Sequence, residues 1–175
     1  NLGLVHRSRG ETEAARAAHQ SGLDLLQDLG DARGASSCRL NLALIANLTG
    51  DLESARIGCN EALAMLGGTD DLWAVASILS NLGEIAGRMG RTSEAADYYE
   101  RAAKDASRRY ANAAALEHGA NALRCPPVSD LRRRFALHHL RQHAADTLGL
   151  RGVQEAEANA REALARELGD DRLLT

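Results

Sequence analysis

The chain has 175 residues, a net charge of −3, 45% apolar residues and only 3% aromatics. That length suits one ordinary domain. No apolar run reaches 18 residues and no signal peptide opens the chain, which argues against a membrane span and against secretion.

Ala supplies much of the apolar content, and the two prolines stand together at Pro126-Pro127. Ala is the best helix former and has little bulk, so it suits helices packed closely against each other. The signature Asn1-Leu2-Gly3 returns as Asn41-Leu42-Ala43 and Asn81-Leu82-Gly83, a period of 40. Gly10, Gly50 and Gly90 keep the same step, as do Ala15, Ala55 and Ala95. A period of this size marks a stack of helical pairs, each unable to bury its apolar face without its neighbours.

In chain order, only the last turns of a first helix precede Gly10. The chain opens at Asn1 in mid-element, which reads as a fragment of something longer. The second repeat opens at Asp31, turns at Gly50-Asp51 and continues as a partner helix from Leu52 to Leu66; Gly67-Gly68-Thr69 then releases the chain. In the third, Asp70-Asp71 caps a helix carrying Leu72, Val75, Ile78, Leu79, Leu82 and Ile85 at i, i+3 and i+4 spacing. Gly90 ends it as a left-handed residue past a helix end, and Thr92 opens a helix holding Ala95, Tyr99 and Ala102.

After residue 107 the strict repeat fades. A helical run from Tyr110 to Arg124 is stopped by Cys125-Pro126-Pro127, because Pro has no N–H and disfavours helix before it. Ser129-Asp130 starts another helix through about Leu148, Gly149 to Gly152 turns, and a last helix runs from Val153 to Leu168. Residues 1–107 thus hold two and a half to three repeats. Residues 108–175 are expected to be a degenerate repeat and C-terminal capping helices that cover the final apolar face.

Charge is uneven along this order: −5 over residues 1–107, +5 over 108–151 and −3 over 152–175, with 20 Arg against one Lys. Arg132-Arg133-Arg134 wraps around a helix and aims in several directions. Without interleaved aromatics, nucleic-acid binding is not expected of it; a solvated face or a contact with the acidic repeats is. His139 and His143 lie four apart on one helix but have no matching carboxylate or Cys, so no metal is expected. Cys38, Cys59 and Cys125 show no CxxC spacing and read as small buried hydrophobes in a reducing cytoplasm. The chain has no GxxxxGK[ST], GxGxxG, GxSxG or HExxH, so neither cofactor nor enzyme activity is expected.

The third repeat, with Leu82, Gly83, Ala95, Tyr99 and Ala102, resembles the tetratricopeptide repeat. The second reads Leu42, Ala43, Ala55, Cys59 and Ala62, and the first Leu2, Gly3, Ala15, His19 and Gly22. The repeat is longer than the family's usual one and lacks its closing proline, with Ser107 at that place. The resemblance implies an all-α fold, a right-handed superhelix (α-solenoid) of antiparallel helix pairs. The long form and the closing stretch over residues 161–171 resemble the C-terminal sensor arrays of large bacterial ATPase-linked transcriptional regulators, and also adaptor arrays of animal cell polarity; the Arg richness leans toward the bacterial ones.

By the same resemblance, the first helix of each pair lines a concave groove. The groove residues would be Ser37, Leu40, Asn41, Leu44 and Asn47 in the second repeat, and Ser77, Ser80, Asn81, Glu84 and Arg88 in the third. Asn1, Asn41 and Asn81 would form an amide ladder that grips the backbone of an extended peptide. The alternative is that these amides tie neighbouring helices together. Trp73 is expected to pack between repeats rather than to serve as a ligand platform. The implied function is a binding module for a protein, peptide or small effector within a larger cytoplasmic regulator. The alternative is a structural spacer or homo-oligomerisation surface.

Overall fold

In a computed structural model, residues 11–67, 71–125 and 130–170 are described. The signature Asn1-Leu2-Gly3, the turn residue Gly10, the Gly68-Thr69-Asp70 segment and Pro126-Pro127 lie outside them. Eight helices account for the described structure, and no strand occurs among these residues. They are α1 (Thr12–Asp28), α2 (Ala32–Thr49), α3 (Leu52–Met65), α4 (Leu72–Arg88), α5 (Thr92–Ser107), α6 (Asn112–Arg124), α7 (Leu131–Thr147) and α8 (Arg151–Leu168). The chain divides into two compact units, residues 1–71 and 72–175.

Local chemistry sets the helix starts. Asp31, Asp51 and Asp130 each accept backbone N–H groups of the first turn, from Gly34 at 2.9 Å, Ser54 at 3.1 Å, and Arg132 and Arg133 at 2.9 and 3.2 Å. Gly50 and Gly90 close their helices at φ +87° and +74°. Helices begin at residues 12, 32, 52, 72, 92 and 112, and then at 131 and 151. The spacing of 20 therefore runs on through the segment where the signature fades, short by one residue once. Two boundaries differ from expectation. Arg151 and Gly152 belong to α8, so the turn ends at Leu150. Tyr110 does not begin α6; it sits in the α5–α6 turn at φ +60°, where the pattern elsewhere uses Gly. A side chain there costs roughly 1–2 kcal/mol.

In the first unit α1 packs on α2 and α2 on α3. Leu23, Ala35 and Leu42 form a buried cluster joined by Leu26, Cys38 and Met65. Ser36 ties α2 to α3 by donating its hydroxyl to the Ala62 carbonyl at 2.8 Å. Cys59 is buried, and burial pushes its thiol up to about 12, so it is protonated at neutral pH. Cys38 and Cys125 are half-buried, and all three are free thiols. Gly58 makes the close crossing of α2 and α3: a Cβ there would stand 2.9 Å from the Ala43 Cβ.

In the second unit each helix packs on the next, and α5 also meets α7. Ile78, Leu79, Leu82 and Ile85 of α4 are buried, and Gly83 admits the Tyr99 ring, which a Cβ would meet at 2.9 Å. Two polar ties hold the later helices. Arg133 reaches Asp97 at 2.6 Å and hydrogen-bonds Glu100, so this member of the basic run contacts the acidic repeats. On α8 the buried Glu157 lies 2.8 Å from Arg141 and 2.6 Å from His138 of α7. Arg161 stacks over Phe135, 4.7 Å from the ring centre.

Gly58→Ala should destabilise the first unit by about 1–3 kcal/mol, offset by roughly 1 kcal/mol of helix propensity. Adding Ala43→Gly should recover most of the loss in a thermal melt. Burial raises the Glu100 pKa, but hydrogen bonds from Lys104 and Arg133 outweigh it and hold the carboxyl below its ordinary 4.5. That stabilisation is therefore present above pH 4.5 and is lost as pH falls through the lowered value. Glu100→Gln should cost about 1 kcal/mol at pH 7, after allowance for partial exposure, and progressively less in melts below pH 4.5.

Candidate functional site

Helix α4 turns its apolar stripe inward, which leaves Trp73, Ser77, Ser80, Asn81, Glu84 and Arg88 on its remaining surface. Three of the expected groove residues, Ser77, Ser80 and Asn81, line a cavity of about 490 Å³ within the second unit. Leu72, Trp73 and Ala76 complete the α4 wall. Ala106 and Arg109 come from the end of α5 and its turn, and Ala111, Ala114 and His118 from the start of α6. This volume and mostly apolar lining fall in the range of ligand sites. Glu84 and Arg88 are exposed further along α4 and do not line it.

The polar groups of the lining have definite states. Asn81 donates one amide N–H to the Ser77 carbonyl one turn back at 2.8 Å, which leaves its second N–H and its carbonyl oxygen to offer elsewhere. Burial lowers the His118 pKa, against an upward pull from Glu117, so the ring is neutral at pH 7 with one donor and one acceptor nitrogen. Its Nδ1 is enclosed and has no hydrogen-bond partner. Trp73 is 78% exposed, contrary to the expectation that it packs between repeats. It sits one residue into α4, on the side away from the Ile78, Leu82 and Ile85 stripe, where it lines the cavity.

The second repeat is placed differently. Asn41 and Asn47 are buried, at 9% and 5% exposure; Leu40 and Leu44 are half-buried, and Ser37 is exposed. The first unit has two smaller cavities of about 280 Å³ each, one beside Leu26 and Met65 and one beside Arg39 and Ile57, and neither is lined by these five residues. Of the amide ladder, Asn1 lies outside the described residues, Asn41 is buried and Asn81 is tied to its own helix.

Arg109, His118 and the α6 alanines escaped the sequence reading. A signal for them exists: α6 begins 40 residues after α4, and Asn121 stands 40 beyond Asn81. The loss of Leu-Gly after that Asn, replaced by Ala122-Leu123, hid the correspondence. Elsewhere, His139 and His143 are both exposed on α7. Among the described residues no three His, Cys, Asp or Glu side chains converge as a metal site would need, and no helix is long and apolar enough to cross a membrane.

Residues 39–108, from within α2 to just past α5, match the tetratricopeptide repeat family. Repeats of this family are in general protein–protein interaction modules. No curated protein matches the chain. Among solved structures, the chain is similar to the crystal structure of BtubC (BKLC) from P. vanneervenii. The TM-score is 0.65 at 17% identity, over 99% of this chain and 72% of that one. It is also aligned with the crystal structure of MamA protein, at a TM-score of 0.42 and 13% identity, over 98% of this chain and 90% of that one. The first likeness bears on fold alone: an all-α helical-repeat architecture.

Trp73 is the chain's single tryptophan, so its emission reports on the cavity alone. The native protein should emit as a water-exposed indole open to iodide quenching, and Trp73→Ala should shift stability by less than about 0.5 kcal/mol. A blue-shifted, unquenched emission would contradict the geometry.

Proposed function

We propose, from the tetratricopeptide repeats in residues 39–108, that this chain is a non-catalytic binding module whose cavity between α4, α5 and α6 receives an extended protein segment. The observation that carries this reading is the joining of Ser77, Ser80 and Asn81 with an exposed Trp73 around one hollow. An exposed aromatic and hydroxyls at a concave surface suit a partner's side chain and backbone. A small effector is the other occupant of compatible size.

Residues 108–175 in this reading continue the array and close it, with α8 covering α7 through the Glu157, Arg141 and His138 contacts. The parent is a larger cytoplasmic regulator of transcription or signalling in a bacterium; Arg in place of Lys and the stretch over residues 161–171 support that context.

The test is a panel of capped ten-residue peptides, each enriched in one side-chain type and titrated while Trp73 emission is followed. At least one should give a saturable shift. Ser80→Arg, which sets a long cation in the cavity wall, should abolish that shift with little change in Tm. A panel without any response, with light scattering showing mass that grows with concentration, would replace this reading by homo-oligomerisation.

A further inference from the structure

The end of the first unit where α1 and α3 finish and α2 begins leaves apolar surface uncovered. Leu25 and Leu29, a turn apart at the end of α1, are 59% and 70% exposed. Their chain neighbours Leu26 and Gly30 line the cavity of about 280 Å³, together with Ala32, Ala35 and Met65. Leu26, Ala35 and Met65 are also members of the cluster around Leu23 and Leu42, so this hollow opens the unit's own core to the outside. It has room for one bulky apolar side chain, and a side chain entering it would extend that core.

The charge around the opening names the partner. Asp24 and Asp28 are exposed on the last two turns of α1, and Asp31 lines the hollow. The last turn of α1 holds no basic residue, and its terminal carbonyls add the negative end of a helix dipole. Gln20 donates to Asp24 at 2.8 Å, but an amide cancels no charge. Asp31 is spent on capping α2 through the Gly34 N–H, which leaves Asp24 and Asp28 facing a partner. The one cation among residues 24–33 is Arg33, held 2.7 Å from Asp71. An occupant that suits an apolar hollow with an acidic rim carries Lys or Arg on either side of an apolar residue.

We propose that this end of the first unit is a second docking site, which seats one bulky apolar side chain of a basic partner segment. The site shares no residue with the α4–α6 cavity and does not depend on the reading given to that cavity.

The experiment follows fluorescence anisotropy of a labelled, capped peptide with one Leu between two Lys pairs in a Gly-Ser background, titrated with the full chain. Binding should saturate and weaken as salt rises. Glu in place of Lys should abolish it, and Ala in place of Leu should weaken it about tenfold. Asp24→Asn with Asp28→Asn should also bind about tenfold more weakly, without loss of Tm, since charges beside the negative end of α1 are removed. Ala32→Leu, at an exposed position of the cavity wall, should bind the Leu and Ala peptides equally.

Equal binding of the Leu and Ala peptides by the parent overturns the role of the hollow. Unchanged affinity in the double Asn variant overturns that of the aspartates. A peptide that shifts Trp73 emission and ignores the aspartates has bound at the other cavity, which overturns the second site. Light scattering in which mass grows with concentration, and stops growing in the double Asn variant, overturns a foreign segment in favour of a second copy of this chain.

Discussion

Close approach of helix backbones is the constraint on which this structure depends. At 3% aromatic content the core has few large side chains to fill space, so the helices must come near enough for alanines to touch. Gly58 against Ala43 does this in the first unit, and Gly83 under the Tyr99 ring does it in the second. At Gly119 the same economy of volume lets the Arg141 stem lie across α6, while its guanidinium reaches Glu157 on α8. At Gly58 the neighbour is the Ala43 Cβ, which moves only with its backbone, so that crossing tolerates little change; at Gly83 and Gly119 a tyrosine ring and an arginine stem would have to yield.

The same smallness that closes the core opens the site. Where α4, the end of α5 and the start of α6 meet, the facing residues are Ala76, Ala106, Ala111 and Ala114, whose methyl groups leave the space between them unfilled. Trp73, the largest side chain there, is 78% exposed. Polar side chains on α4, with Arg109 and His118 opposite, then border a hollow whose floor is alanine.

Much of this was legible in the sequence because the repeat is a spacing, and spacing survives in composition. The asparagine triplets, the glycines at 50 and 90 and the Asp caps located α2 to α5 closely. The face of α4 bearing Ser77, Ser80 and Asn81 also followed, since it is what remains once Ile78, Leu82 and Ile85 turn inward. The corresponding face of α2 did not, for Asn41 is buried although it stands at the pattern position of Asn81, and Asn47 is buried too: burial depends on what packs over a helix, which periodicity does not record. Arg109 and His118 were hidden for another reason. Their helix keeps the register of α4 but has lost the residues that announce it, and Tyr110 replaces the glycine that would have marked the turn.

The order of packing within each unit has a consequence for biosynthesis. Each helix of a unit docks on the one that follows it, so a nascent helix waits for only about one more helix of chain before its first partner arrives. At about 5–20 residues per second that wait is on the order of a few seconds. An Ala-rich helix with one oily side is thus exposed only briefly as it leaves the ribosome, and assembly can keep pace with translation.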